Sequence, residues 1–417
     1  MRKVFILFLT FYLIQKNVFP QFVIFDSTNS GLKDNYCWYV KQNSAGDVWV
    51  STQTLGAFKL SGSVWSNYTK GNSGIGADFI TPVAFENGNM TWLGSYSGTG
   101  GLSEFNGTNW NVYTTGNSGI ASDDIMSIGI DPSGNKWIAT RWNGISKFDG
   151  TTWTNWNTSN SGLPDNAVYS IECDNQSNIW VGTASHGLCK FDGVSTWVIY
   201  DSGNSPLPNN NIYSLRYNTA ANSLWIGTYG GVAVLNNGSW TVYNASMANF
   251  PASNYIRGIT HCYNTGNTYI ATGAGGIGRF DGYSWKTYNT GNSNLPSNQI
   301  WSVNSGYNNE VWASTWGQGI VKLVDRETGI DRIKNPGNRS SLYPNPNAGE
   351  FVLKIDIEMH EGEFQIMNSL GQIITRQKIN TGLNEIKTTG LPNGLYEYFI
   401  LENNLKVDQG KFVVSYK

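Results

Sequence analysis

The chain has 417 residues, a net charge of −2 and only 13% charged residues, against roughly 25% in an ordinary soluble domain. Aromatics reach 14%, with 17 Trp and 22 Tyr, a composition suited to an all-β protein. The length exceeds one simple core, and no cluster of Lys and Arg supplies the concentrated positive field that nucleic acid requires, which excludes that partner.

Met1-Arg2-Lys3 precedes an apolar run over residues 4–14, broken only by Thr10. Two cations before a short apolar run are the n- and h-regions of a signal peptide, expected over 1–21 with cleavage near Pro20 or Gln21. The run is too short for a membrane-spanning helix, and no later stretch qualifies, so no transmembrane segment is expected after its removal.

From residue 22 one unit repeats. Its clearest copy, over residues 180–200, reads as three short strands broken by small residues, with Asp192-Gly193 as a hairpin turn. The leading aromatic recurs at Trp49, Trp92, Trp137, Trp180, Trp225, Tyr269 and Trp312, at spacings of 43 to 45 residues. A period in the low forties with four strands per copy predicts a β-propeller. Each blade should carry an inner strand, the Trp strand, a Phe-Asp-Gly strand and an outer strand of the form Trp-x-x-Tyr. In an outer strand, aromatics at i and i+3 face opposite sides and offer one ring to each neighbouring blade. After Trp312 the chain supplies two further strands but no Trp-x-x-Tyr strand, whereas residues 22–26 read as a spare outer strand. The N-terminal strand should therefore complete the last blade, closing the ring at seven and removing exposed edges.

Features uniform across the copies point to packing. Two residues past the anchor stand Ser51, Gly94, Ala139, Gly182, Gly227, Ala271 and Ser314, all small, followed each time by Thr or Ser. An Asn or Asp opens every inner strand, where a side-chain bond to the turn backbone accounts for it. The cysteines Cys37, Cys173, Cys189 and Cys262 are expected to be free and buried. Cys173 and Cys189 share a blade, but an intervening strand puts them two spacings of about 4.8 Å apart, too far to bridge. No Cys or His cluster has ligand spacing, so neither metal nor cofactor is expected.

All Trp lie at or before Trp316, and from residue 326 the charged fraction rises to about a quarter, near the globular norm. Residues 326–341 read as a polar linker. Short alternating runs over 351–357, 363–367, 372–378, 384–387, 395–401 and 411–415 predict a small Ig-like β-sandwich. The domain plan is a signal peptide over 1–21, a propeller over 22–325, the linker, and a C-terminal domain over 342–417.

The repeat, with its Trp-Ile/Val-Gly-Thr, Gly-Leu/Ile-x-x-Phe-Asp-Gly and Leu-Pro-x-Asn-x-Ile pieces, resembles the two-component-regulator propeller repeat. The C-terminal part resembles the type A sorting domain of the type IX secretion system of Bacteroidota. The matching residues are Tyr343-Pro344-Asn345-Pro346 with Gly349, Gly371 within Asn-Ser-Leu-Gly, Gly394-Leu395-Tyr396, and Lys411-Phe412-Val413-Val414. That resemblance implies the type IX machinery as partner, export through the periplasm, loss of the sorting domain, and a secreted or outer-membrane surface-attached product.

Function must then lie in what breaks the repeat. After the Trp strands stand Gln53, Tyr96, Arg141, Trp142, His186, Tyr229 and Trp316; near the inner-strand starts stand Tyr36, Trp38, Asp124, Tyr255, Arg257 and Trp301. Aromatics with a few polar groups suit stacking on sugar rings or gripping a peptide. Tyr96, Arg141, Trp142, His186, Tyr229, Arg257 and Trp316 are the candidate ligand contacts, at the mouth of the channel. The reading is a secreted binding or adhesion module for a glycan or a surface protein. The alternative is an enzyme acting on polysaccharide, a lyase or glycosidase, in which His186 is a base oriented by Asp123 or Asp124.

Overall fold

The computed structural model describes residues 21–86, 90–96, 98–262, 265–306, 310–324, 340–343, 350–355, 359, 362–368, 373–388, 390–402 and 405–415. Residues 1–20 of the signal peptide expected over 1–21, and most of the linker, lie outside them, while Gln21 already stands in a strand. The chain divides into two compact units, Met1–Arg326 and Glu327–Lys417.

The first unit contains seven four-stranded antiparallel sheets. Blade 1 runs Cys37–Gln42, Val48–Thr52, Ala57–Ser61 and Val64–Tyr68 from inside to outside, and blades 2 to 6 repeat that order. In blade 7, Ile300–Ser305, Val311–Thr315 and Ile320–Val324 are followed by Gln21–Phe25, paired from Gln21 opposite Val324 to Phe25 opposite Ile320. The ring closes as the sequence implied.

The apolar core is split into seven clusters, each shared by two adjacent blades. The anchor Trp supplies much of each: Trp49, Trp92 and Trp137 are 1% exposed. Outer-strand aromatics tie the rim together. Trp65 meets Phe25 of blade 7 at 6.2 Å, Tyr68 meets Trp110 of blade 2 at 5.5 Å, and Tyr288 meets Phe22 of blade 7 at 6.0 Å. The Gly before the inner strand in blades 1 to 4 makes room for these rings. A Cβ on Gly31 would lie 2.5 Å from the Trp65 Cβ, and one on Gly119 would lie 2.7 Å from that of Trp153.

The uniform positions are structural throughout. The opening Asx side chain accepts a backbone N–H across the inter-blade turn in all seven blades, from Ser27 to Asn35 at 2.8 Å through Thr290 to Asn298 at 2.9 Å. The Thr or Ser after the small residue donates to the carbonyl that starts or precedes the third strand, as Thr183 does to Gly187 at 2.8 Å. A Cβ on Gly182 or Gly227 would strike the next blade's Ile212 or Ile256 at 2.5 and 2.8 Å.

All four cysteines are free, but Cys173 is half-buried rather than buried, because it ends its inner strand where the blade opens. In the second unit, Ser340–Tyr343, Glu350–Ile355 and Gly382–Lys387 form one sheet; Gly362–Met367, Ile373–Ile379, Gly394–Glu402 and Leu405–Val414 form the other. One core built on Phe351, Phe364, Ile400 and Phe412 joins them, giving the sandwich. The expected linker runs two residues too far, since Ser340 and Ser341 already pair with Ile355 and Lys354. Tyr343 pairs with Val352, Gly394 with Val414 and Lys411 with Glu397. Tyr396 is buried, and its hydroxyl donates to the Pro392 carbonyl. Pro344, Asn345, Pro346, Gly349 and Gly371 lie outside the described residues.

Candidate functional site

Each inner strand begins with a buried residue: Cys37, Ile80, Ile125, Val168, Ile212, Ile256 or Ile300. The ladder to the Trp strand then shifts register in every blade, in six of them skipping only the next residue. A β-bulge leaves one residue unpaired and re-aims its side chain. The residues so placed are Trp38, Thr81, Met126, Tyr169, Tyr213, Arg257 and Trp301, and all of them line a central cavity of about 320 Å³. That size suits a small-molecule or oligomer-end site.

A second ring stands above the first. The backbone N–H of Gln53, Tyr96, Arg141, Ala184, Tyr229, Gly273 and Trp316 each donates to a carbonyl just before its own blade's bulge. Seven equivalent positions are thus pinned, and only side chains distinguish them. In blade 6 the position is Gly273, and the Tyr255 ring fills the space its Cβ would need, at 2.6 Å.

The aromatic members form a continuous arc. Tyr96 stacks on Trp38 at 5.7 Å, and Trp38 meets Trp301 at 4.0 Å. Arg257 lies over Trp301 at 3.7 Å and over Tyr255 at 4.6 Å. Tyr255 meets Tyr213 at 4.5 Å, and Tyr213 stacks on Tyr169 at 5.4 Å. The arc spans six blades and is interrupted at Met126 of blade 3.

Of the candidates named from sequence, Tyr96 and Arg257 line the cavity, as do Trp38, Tyr255 and Trp301. Trp316 backs the arc, 5.1 Å from Trp301 and 5.0 Å from Tyr36. Arg141 covers Tyr96 at 4.6 Å and holds Trp142 at 5.0 Å on the rim, where Trp142 is 57% exposed. Tyr229 is an exposed rim residue beside Tyr255. His186 stands apart from the arc. Tyr169, Tyr213 and Met126 were missed; the signal was present, since the residue after each buried inner-strand aliphatic is the one that varies between blades.

The expected pairing of His186 with Asp123 or Asp124 is corrected. Asp123 accepts from Thr115 N–H and Asp124 from Gly98 N–H, so both carboxylates are committed to turns. His186 Nδ1 instead lies 3.1 Å from Asp165 Oδ2 and 2.9 Å from Ser185 Oγ. Burial pushes the Asp165 carboxyl up, but bonds from Ala167 N–H, His186 and Ser185 more than offset this and hold it below the ordinary range. A nucleophile relay needs the hydroxyl and the carboxylate on opposite ring nitrogens. Here both meet Nδ1, which makes the group a loop clasp. The other propeller histidine, His261, is buried, bonded through Nδ1 to Thr268 Oγ1, and pushed down to about 3 by burial. Among the described residues no group of His, Cys, Asp and Glu could hold a metal ion.

Comparison with known proteins bears on the whole. Residues 341–415 match the model of the secretion system C-terminal sorting domain, and residues 162–185 match that of the two component regulator propeller. No curated protein matches the chain. Among solved structures, it is similar to the extracellular domain of BT3049 from B. thetaiotaomicron, described as a hybrid two component system. The TM-score is 0.64 at 18% identity, over 95% of this chain and 57% of that one. It is also similar to PorZ of Porphyromonas gingivalis, a surface component of the type-IX secretion system, with a TM-score of 0.56 at 16% identity over 94% of this chain and 61% of that one. A streptogramin B lyase aligns at 0.57 and 16% identity, over 72% of this chain and 96% of the lyase. The chain therefore spans about three fifths of the first two, and at these identities the likeness concerns the fold. It combines a regulator-type propeller with a type IX sorting domain, so its destination is the cell surface or the medium.

Proposed function

We propose that the propeller is an exported binding module that takes a glycan at its channel mouth. The observation carrying this is the aromatic arc from Tyr96 through Trp38, Trp301, Tyr255 and Tyr213 to Tyr169. Sugar rings present flat C–H faces, and aromatic walls bury them while nearby polar groups meet the hydroxyls. Trp38, Trp301, Tyr213 and Tyr169 sit on inner strands, Tyr96 and Tyr255 flank strand ends, and one backbone hydrogen bond in each blade ties the two places together, so the site is organised before ligand arrives. Arg141, Trp142 and Tyr229 stand on the rim, where a longer chain would leave the cavity. On this reading the sorting domain delivers the module to the surface and is then removed, leaving it released or attached.

The test is retention on a polysaccharide panel, followed by titration of Tyr213→Ala combined with Trp301→Ala. A stacking contact is worth about 1–3 kcal/mol, so the pair should weaken binding at least tenfold. Unchanged affinity with an intact fold would move the ligand off this face. Retention with new reducing ends or unsaturated products would favour the enzyme, and capture of a surface protein with no glycan retained would favour adhesion.

A further inference from the structure

The cavity's polar groups are uneven in kind. Trp38 Nε1, Trp301 Nε1, and Nε and Nη1 of Arg257 are buried and have no hydrogen-bond partner. These four are obligate donors, whereas Ser170 Oγ and Ser214 Oγ, also buried without a partner in the cavity wall, can donate or accept. No Asp, Glu, Asn or Gln is among the residues lining the cavity. No ion pair to Arg257 occurs among the described residues. The acids near the mouth, Asp34, Asp124 and Asp165, belong to blades 1, 3 and 4 and are held by hydrogen bonds from neighbouring turns, and Arg141 shares the side of the last two. Deeper in the channel, Lys41 lies near Arg216 and Glu172, two cations to one acid.

A guanidinium out of bulk water without an anion is costly, and a ligand that displaces its water must replace those acceptors. Held over the Trp301 and Tyr255 rings at 3.7 and 4.6 Å, the Arg257 guanidinium has its N–H edge as the part left to bond. That edge matches a carboxylate, which accepts two parallel bonds from it. Resting on the reading of the mouth as a glycan site, we infer that its ligand is an acidic polysaccharide, and that Arg257 selects the carboxylate of a uronate residue. A pyranose bearing a carboxylate places one flat face and one anion side by side, as the arc places aromatic ring and guanidinium. A peptide would bring backbone N–H groups, for which the cavity's side chains offer only Ser, Thr and Tyr hydroxyls and no Asp, Glu, Asn or Gln.

The experiment titrates the exported protein with polygalacturonate, alginate and hyaluronan. Each is paired with its carboxyl-reduced form, in which only the anion is replaced by a neutral hydroxymethyl group, and polyglutamate serves as an acidic peptide. At least one acidic polymer should bind, its reduced form at least about tenfold more weakly. Arg257→Met should lose the same factor for the acid and nothing for the reduced form, with Arg257→Lys in between. Equal affinity for the acid and reduced forms overturns the anion while leaving the mouth reading intact. Binding of polyglutamate alone, or of none of the three acidic polymers, also overturns it. Binding indifferent to both Arg257→Met and Trp301→Ala removes the mouth itself. If Arg257→Met fails to fold, the acid and reduced pair on the unaltered protein still decides.

Discussion

At the scale of the residue, the seven-fold repetition separates framework from function. Every blade repeats the Asx latch and the Thr bond, so neither can discriminate a ligand. Single departures are informative, and His261 is one with a measurable consequence. It ends the inner strand of blade 6, 2% exposed, its ring 5.6 Å from that of Trp225, and burial lowers it to about 3, with the Arg216 charge adding to the shift. A histidine held neutral in the fold but free to protonate near 6.5 when unfolded contributes stability that is complete above pH 6.5 and is lost as pH falls toward 3. The slope approaches 1.4 kcal/mol per pH unit, or about 2 kcal/mol between pH 6.5 and 5. Urea unfolding at pH 7, 6 and 5 should therefore show a steeper loss in the native chain than in His261→Gln. Parallel curves would mean that His261 takes up its proton as readily in the folded chain as in the unfolded one.

At the scale of the element, closure depends on one five-residue strand. Gln21–Phe25 covers the edge of Ile320–Val324, and its backbone is held a second time by Asn294, which accepts from Phe22 N–H at 2.6 Å and donates to the Phe22 carbonyl at 2.9 Å. Phe25 lies between Trp312 and Trp65, joining blades 7 and 1. A variant lacking residues 22–25 should expose a strand edge and associate, visible as a rise in light-scattering mass. Phe22→Ala, which keeps the strand, should cost about 3–5 kcal/mol and stay monomeric. A deletion variant that remains monomeric with an unchanged melting temperature would show that the ring does not depend on this strand. Blade number and closure were legible in the sequence because anchor spacing and a displaced outer strand are properties of order along the chain. The mouth was legible only in part. Reading Trp38, Tyr255, Arg257 and Trp301 as near the strand starts was sound, but a bulge shifts the side-chain phase by one, and alternation alone cannot reveal it. Tyr169 and Tyr213 were missed for that reason. The pairing of His186 was misassigned because a loop's partner is set by the fold of its own blade, where Asp165 stands across from it.

At the scale of the whole molecule, the two units have separate cores and separate tasks. The sorting domain is held by its last long strand: Leu405–Val414 pairs along Gly394–Glu402 and brings Phe412, fully buried, against Phe351 at 4.8 Å and Tyr396 at 5.7 Å. Removing residues 411–417 takes away that ring and four pairings, those of Lys411, Phe412, Val413 and Val414 with Glu397, Tyr396, Leu395 and Gly394, so the sandwich should lose its order. None of the seven propeller clusters draws on residues after 323, so the propeller should keep its own stability. The expectation is that the truncated protein accumulates in the periplasm with a normally melting propeller, whereas Tyr213→Ala with Trp301→Ala reaches the medium or surface like the native chain. Intact mass of the native exported product should lack both the signal peptide and everything after about residue 341. Export of the truncation at the native level would separate this domain from sorting. Failure of the mouth variant to leave the cell would instead show that the machinery reads the propeller as well.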